Sequence, residues 1–315
     1  MAPRLAEQYP LEVVMANFHV YLGQDVRADL PVIRKVAPSD IRDALIKGFD
    51  DFRAMPSHLL FLALIYPLCG IVLAYVTSQQ NLLQLLFPLA SGFALVGPFA
   101  AIGLYEMSRR RELGLDTSWR HAFEVSRSPS IPSIIALGLA LVAIFALWLA
   151  AAQVLYSFLY GPIAPSSYSA FLSDVFSSGR GWALILFGCF IGFCFAVIAF
   201  SISVVAFPLL LDRDVGLAAA VGASVKCVLD NPVTMALWGL TIAALLAIGS
   251  LPLFLGLVVI MPVLGHATWH MYRKAVERDP AHERLADWPA DRLGRPASQV
   301  ASAHAVLFPW PRTES

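Results

Sequence analysis

The sequence predicts an all-α polytopic membrane protein with six transmembrane helices. Hydrophobic residues make up 58% of the 315 residues and charged residues only 14%, whereas soluble domains have about 45–50% apolar and about 25% charged residues. The mean hydropathy of +0.69 agrees with this imbalance. The apolar residues form long uncharged runs, and the basic residues gather in alternate connections between those runs.

Six segments are long enough to be membrane spans, because a helix needs about 20 mainly apolar residues to cross about 30 Å of hydrocarbon. The fifth is short, and only Gly249-Ser250 separates it from the sixth, which predicts a tight helical hairpin. The six predicted spans are Ser57–Thr77, Leu82–Tyr105, Ile131–Tyr160, Trp182–Leu211, Val233–Ile248 and Leu251–Tyr272.

The distribution of basic residues predicts the orientation of these spans. Of the 22 Lys and Arg residues, 21 fall on one side of the predicted membrane, and only Arg180 lies in the loop after the third span. The positive-inside rule makes the basic side cytoplasmic, so both termini are expected there. Met1–Pro10 lacks the apolar core of a signal peptide, and the first span is therefore expected to direct insertion.

Three related units are predicted within the chain. Pro88 and Pro98 of the second span are ten residues apart, as are Pro252 and Pro262 of the sixth. Each of three hairpins follows an amphipathic cytoplasmic stretch that ends near a proline, and the three units share one topology. A pseudo-threefold arrangement about the membrane normal is expected. The three leading stretches are Ser39–Met55, Thr117–Ser128 and Val215–Asn231.

The first leading stretch is predicted to be an amphipathic helix with Ser39 as its N-cap. Ile41, Leu45, Phe49 and Phe52 recur at helical spacing and form its expected apolar face. Such a helix either lies on the membrane surface or packs on the ends of the spans. The domain plan is a cytoplasmic segment over residues 1–36, a six-span membrane domain over 37–276 and a cytoplasmic tail over 277–315.

The sharpest motif is Gly265–His270, near the inner end of the sixth predicted span. His266 and His270 are four residues apart, which puts both imidazoles on one helical face and suits a metal ion or a haem edge. Glu106, Asp212 and His58 are candidate partners at the same level, and His266, His270, Glu106 and Asp212 form the predicted metal cluster. The alternative is a structural polar cluster, in which the two histidines interact with helix-end carbonyls and the carboxylates pair with arginines.

Other chemistry is poorly represented in the sequence. There is no Walker loop, GxGxxG, GxSxG or HExxH motif, and the spans contain no charged residue. The absence of ionisable groups near the midplane argues against an ion-coupled transporter. The 22 basic and 22 acidic residues give no electrostatic footprint for nucleic acid. The four cysteines lack metal-site spacing and are expected to be thiols packed between helices.

Several short motifs occur along the membrane part of the chain: Gly48–Arg53, the run from Gly97-Pro98 through Glu106–Arg110, Phe207–Val215, Leu229–Pro232, Gly256-Leu257 and Pro262–Arg273. Over roughly Ile33 to Val276 they resemble a bacterial family of integral membrane proteins catalogued as domain of unknown function 2189. Some members of that family are described as similar to cytochrome c oxidase subunit I. Only His266 and His270 lie within a predicted span, with His58 at the edge of another, so a haem-copper centre cannot be assembled.

The leading functional hypothesis is a non-catalytic accessory or assembly subunit of the bacterial inner membrane, within a respiratory or other energy-converting complex. It expects a lipid bilayer and a membrane-protein partner, and it requires no cofactor. One alternative is a protein that binds or transports a lipid or small hydrophobic molecule through a cavity opened at Pro98 and Pro262. A second alternative is a metal- or haem-binding membrane protein that uses His266 and His270.

Overall fold

The computed structural model describes residues 31–55, 84–85, 87–89, 97–98, 101–118, 125, 128–162, 167–252 and 255–278. Within these segments the chain is helical apart from short connections and one isolated β-bridge. Nine helices are complete in the described part of the chain. They are α1 (Pro38–Ala54), α2 (Ile102–Glu112), α3 (Ile131–Tyr160), α4 (Tyr168–Ser177), α5 (Gly179–Ser203), α6 (Ala206–Asp212), α7 (Leu217–Asp230), α8 (Pro232–Ser250) and α9 (Leu257–Ala275).

Three helical stretches among the described residues are long and apolar enough to cross a bilayer. They are α3, the stretch Gly179–Asp212 that α5 and α6 form together, and α8. They coincide with the third, fourth and fifth predicted spans, and α3 has the predicted bounds. The all-helical class is thus confirmed with three candidate spans. The first predicted span and most of the second lie outside the described residues, and α9, which covers most of the sixth predicted span, is not among the three candidates. The six-span plan and the threefold repeat therefore stay predictions.

A break at Val204 and Val205 separates α5 from α6. Pro208 has no N–H to offer the carbonyl of Val204, and its ring clashes with the preceding turn, so the helix is interrupted four residues upstream. The N–H of Val205 donates instead to Ser224 Oγ of α7 at 3.2 Å. Ser224 therefore satisfies a backbone donor that the break would otherwise leave unpaired in the interior.

The connection between α8 and α9 differs from the predicted Gly249-Ser250 turn. Helix α8 runs through Ser250, and α9 begins only at Leu257. Pro252 lacks the N–H needed to continue α8. The chain then returns so closely that a Cβ atom on Gly256 would lie 2.7 Å from the Cα atom of Gly249. The predicted turn was wrong because Gly249 serves as a contact surface for Gly256 rather than as the bend itself.

Helix α1 packs against α9 with a face that shares only Ile41 with the predicted apolar face. Ile41, Ala44, Gly48 and Asp51 are buried, whereas Phe49 is 46% exposed. Gly48 determines this choice, because α9 approaches so closely that a Cβ atom there would lie 2.6 Å from the backbone nitrogen of Ala267. The apolar periodicity favoured the larger side chains, but the smaller ones permit the closest helix contact.

The start of α1 also corrects a prediction. Ala37, not Ser39, is the N-cap residue, and Pro38 occupies the first turn. Proline suits that position because its missing N–H would be unpaired there anyway. The backbone N–H of Ala37 donates to Asp40 Oδ2 at 2.8 Å. Asp40 thus provides the cap contact that was expected from Ser39.

The segment before α1 is fastened to the end of α9 and to the α7–α8 junction. Ile33 and Val276 form an antiparallel bridge. Asn231 Oδ1 accepts from the backbone N–H of Val36 at 2.9 Å, and its Nδ2 donates to the carbonyl of Arg34 at 3.2 Å. The Asn231 contacts join residues about 195 positions apart. Together with the bridge they hold both ends of the described chain at one end of the bundle.

The core combines a large aromatic centre with a few paired polar groups. Phe207, Trp238 and Trp269 are fully buried. Gln84 and Gln153, the two amides expected within spans, form a 3.2 Å hydrogen bond between Gln84 Nε2 and Gln153 Oε1. Pairing the two amides lowers the free-energy cost of burying their polar groups in apolar surroundings.

The described cysteines divide between the core and the outer surface. Cys227 is buried in α7, whereas Cys189 and Cys194 are exposed on α5. The expectation of packed thiols is therefore wrong for the last two, which point away from the neighbouring helices. Cys69 lies outside the described residues.

Candidate functional site

Five polar residues meet around a buried carboxylate where α1, α2 and α9 pack together. We call them the Asp51 cluster: Asp51, Ser108, Arg111, His266 and His270. Asp51 Oδ2 lies 2.6 Å from Ser108 Oγ and 2.9 Å from His270 Nε2, while Oδ1 pairs with the Arg111 guanidinium. Ser108 Oγ lies 2.7 Å from His266 Nδ1. Asp51 is 4% exposed and His266 fully buried, so the cluster is an interior network.

The sequence brings these side chains together through two close helix contacts. Gly48 lets α1 pack directly on the backbone of α9. This close contact brings Asp51, one turn further along α1, next to the two histidines of α9. A Cβ atom on Gly265 would collide with Leu104, so this glycine lets α2 pack against α9. The four-residue spacing of His266 and His270 then directs both rings to the same side.

Hydrogen-bond accounting assigns the protons in the cluster. An ionised Asp51 can only accept, so Ser108 Oγ–H and His270 Nε2–H both donate to it. Since the single hydroxyl proton of Ser108 is used in this way, His266 Nδ1–H must donate to Ser108 Oγ. Burial raises the pKa of Asp51, but the hydrogen bonds from His270 and Ser108 and the charge of His270 outweigh it, and the pKa lies below 3.8. Asp51 therefore stays ionised.

A second set of paired charges lies beside the first, and we call it the Asp212 cluster: Glu106, Arg109, Asp212, Tyr272 and Arg273. Tyr272 Oη donates to Asp212 Oδ2 at 2.6 Å, and Arg273 Nη1 lies 3.4 Å from the same oxygen. Glu106 accepts from Arg109 Nε at 2.8 Å. Burial lowers the pKa of Arg109, but Glu106 and Asp212 raise it by more. Arg109 therefore stays charged although it is buried.

The four predicted metal ligands are divided between these clusters. His266 and His270 lie with Asp51, whereas Glu106 and Asp212 are engaged by arginines and Tyr272 in the Asp212 cluster. Within the described segments, no group of three or more His, Cys, Asp or Glu residues is arranged to hold a metal ion. His58 lies outside those segments. The arrangement resembles the alternative expectation of a structural polar cluster, and elemental analysis remains the test of the metal hypothesis.

Sequence reasoning missed Asp51, Ser108 and Arg111 as members of the site. Helical periodicity placed Phe49 on the expected apolar face of α1 and did not single out Asp51. A usable signal was present, because Asp51 lies in the Gly48–Arg53 motif and Ser108 in the Glu106–Arg110 motif. Both motifs already carried the family resemblance.

A pocket of about 340 Å³ opens beside the Asp51 cluster, between α1, α2 and α9. At its edge Glu112 Oε1 accepts from Arg273 Nη2 at 3.0 Å and from Arg278 Nη2 at 2.8 Å. Glu112 Oε2 accepts from the indole N–H of Trp269 at 3.0 Å. A carboxylate thus sits in a cradle of two guanidinium groups and one indole.

The fold and the composition define an all-helical integral membrane protein. Residues 86–212 match the family model described as "Predicted integral membrane protein (DUF2189)". This match confirms the family resemblance over that stretch, whereas the motifs at Gly48–Arg53 and Pro262–Arg273 lie outside it. That description assigns no activity. No curated protein and no solved structure matches the chain.

Proposed function

We propose that the chain is a non-catalytic accessory or assembly subunit of an energy-converting complex in the bacterial inner membrane. One observation carries the proposal: the groups that could perform chemistry are engaged with one another. Asp51, His270 and Ser108 form a closed network, and Tyr272 and Asp212 are paired nearby. Asp51, Ser108 and His270 line the pocket beside the cluster, but they hydrogen-bond to one another there. Such a network stabilises a scaffold, whereas a catalytic site needs a reactive group that is available to a substrate.

The exposure of α5 supports a partner in the membrane. Only 6% of the most apolar window of Gly179–Asp212 is buried, against 28% for α3. Phe190 and Phe193 are each 65% exposed on α5. In a bilayer this surface contacts lipid or another transmembrane helix, and it is the largest such surface among the described spans.

The proposal includes six spans with both termini in the cytoplasm. Two of the three expected leading helices, α1 and α7, end next to Pro56 and Pro232, as the three-unit plan requires. Arg180 stacks over Tyr160 at the C-terminal end of α3, 4.6 Å from the ring centroid. Ser130, at the other end of α3, donates to Asp214 beside the Asp212 cluster. Arg180 thus lies at the opposite end of α3 from Arg109 and Arg273 of that cluster, which supports the orientation.

The test is purification from native membranes in mild detergent, with paired variants on two exposed faces. A stoichiometric partner is expected with the wild type. It should be lost with Phe190→Ala/Phe193→Ala on α5 and retained with Leu139→Ala/Val142→Ala on the exposed face of α3. Migration only as a free homo-oligomer would overturn the proposal, and so would equal loss of the partner from both variants.

A further inference from the structure

The short helix α4 connects two candidate membrane spans at the end of α3 opposite the Asp212 cluster. Seven residues separate α4 from the end of α3 at Tyr160, and only Ser178 separates it from α5. Both neighbouring helical stretches are long and apolar enough to cross a bilayer. Helix α4 therefore lies where the chain leaves the membrane and enters it again.

One side of α4 packs beside the ends of these two spans. The Phe171 ring meets Tyr156 and Tyr160 edge-on, with ring centroids 5.9 and 5.8 Å apart. Val175 is buried, and a Cβ atom on Gly181 would collide with the Val175 backbone. These contacts hold α4 against the last two turns of α3 and the first turn of α5.

Aromatic side chains place this level of the molecule at the edge of a bilayer. Tyr156 and Tyr160 stack at the end of α3 with ring centroids 5.2 Å apart. Trp182, which is 50% exposed, lies in the first turn of α5. Tyrosine and tryptophan are enriched where hydrocarbon meets water. Because Phe171 contacts both tyrosines, α4 lies at the depth of this aromatic belt.

A second side of α4 is apolar and uncovered. Leu172 is 40% exposed and Phe176 is 59% exposed, and their four-residue spacing places them on one face of the helix. Ala170 and Ser177 are exposed as well. At 3.6 residues per turn they lie about 130° around the helix from the Leu172 and Phe176 face. The exposed surface of α4 is thus divided into an apolar side and a small polar side.

The single charge of α4 is neutralised within the protein. Asp174 accepts from Arg180 Nε and Nη2, both at 3.0 Å. At 3.6 residues per turn Asp174 lies on the side of α4 away from Phe176. The other polar residues of the helix are three serines and Tyr168. No lysine or arginine of α4 is present to attract an anionic surface, so apolar contact has to provide any binding to lipid.

We propose that Leu172 and Phe176 insert among the lipid chains at the boundary between headgroups and hydrocarbon, and that α4 is an interfacial anchor. Lipid is the occupant because the exposed Phe158 of α3 and Trp182 of α5 continue the same apolar surface at this level. Leu172 and Phe176 together offer at most about 500 Å², whereas each partner in a stable protein interface buries about 800 Å². Only α3 and α5 need to span the membrane for this, so it is independent of the six-span plan and of any protein partner.

The experiment measures the depth of single spin labels on α4 in full-length protein reconstituted into phosphatidylcholine vesicles. The native cysteines are first replaced by alanine, and one cysteine is then introduced at a time. The apolar-side variants are Leu172→Cys and Phe176→Cys, and the matched controls are Ala170→Cys and Ser177→Cys on the polar side. Oxygen concentrates in hydrocarbon and a nickel chelate stays in water, so the ratio of their collision rates with the label reports its depth.

The labels at Leu172 and Phe176 should lie about 5–10 Å deeper than those at Ala170 and Ser177. Adding phosphatidylglycerol or salt should leave this difference unchanged, because no unpaired charge contributes to it. Equal depth of all four labels would overturn the proposal, and so would a difference that appears only with phosphatidylglycerol. Labels at Leu172 and Phe176 that neither oxygen nor the chelate reaches would also overturn it, because a protein would then cover this face.

A measurement on the unaltered protein in nanodiscs applies even if the cysteine-free chain does not fold. Hydroxyl radicals formed in water should leave Phe176 unmodified, whereas a phospholipid with a photoreactive diazirine in its acyl chain should label it. Phe158 of α3, which is 85% exposed, is the positive control for labelling from the lipid. If Phe158 is labelled and Phe176 is not, the lipid contact of α4 is refuted, whether or not water reaches the Phe176 ring.

Discussion

Gly48→Ala provides a direct test of how α1 is seated on α9. A Cβ atom at this position would lie 2.6 Å from the nitrogen and 2.8 Å from the Cβ atom of Ala267, and 2.7 Å from the carbonyl oxygen of Val263. Two of these atoms belong to the helix backbone, which cannot rotate away as a flexible side chain can. Helix α1 must therefore shift outward, and Asp51 moves with it.

The expected magnitude follows from two opposing contributions. Overpacking of a close contact costs about 1–3 kcal/mol, and a backbone contact should fall near the upper value. Replacing glycine by alanine within a helix gains about 1 kcal/mol. The net loss of stability should thus be about 2 kcal/mol. Because Asp51 moves away from His270 and Ser108, the local hydrogen bonds should weaken at the same time.

Gly222→Ala is the matched control, because Gly222 lies within α7 and a Cβ atom there would meet nothing within 4 Å. This variant should be stabilised by up to about 1 kcal/mol. Both variants can be compared with the wild type by reversible denaturation in one detergent. If Gly48→Ala is as stable as Gly222→Ala, the described contact between α1 and α9 does not exist in the folded protein.

Two further predictions concern buried polar groups. Asp51 has a folded-state pKa below the ordinary 3.8, so its stabilising contribution is present above that value and is lost as pH falls through the folded-state pKa. Asp51→Asn should remove this part of the acid dependence. It should also destabilise the protein at neutral pH by about 3–5 kcal/mol, the usual cost of breaking a buried ion pair. If the free energy of unfolding of the variant falls at acid pH as that of the wild type does, Asp51 is not the titrating group. Asn231→Ala should cost about 1–3 kcal/mol, because it leaves the buried N–H of Val36 without its acceptor. Faster hydrogen exchange at Val36 would report the loss, and unchanged protection there would refute it.

The sequence alone predicted the elements whose formation depends on local pattern. Long uncharged runs predicted α3, the stretch Gly179–Asp212 and α8 to within a few residues, because a hydrocarbon environment requires a minimum apolar length. They did not predict the break between α5 and α6. The helical leading stretches before Pro56 and Pro232 were also recognised, since amphipathic spacing and a terminating proline are local signals.

Predictions failed where the outcome depended on which surfaces touch. The apolar face of α1 was predicted from its large apolar residues, but the contact with α9 is made at Gly48 and buries Asp51. The turn between α8 and α9 was predicted at Gly249, but that glycine accommodates Gly256. The sequence does not show whether a glycine forms a turn or allows another segment of the chain to approach closely.

The candidate site was likewise predicted only in part from the sequence. The sequence determined that His266 and His270 share one helical face, because a four-residue spacing fixes this within a single helix. Only the tertiary structure decided their partners. The histidines contact Asp51 and Ser108, whereas Glu106 and Asp212 pair with arginines and a tyrosine. Hydrogen bonds between residues as far apart as 51 and 270 depend on helix packing, and no local pattern encodes that packing.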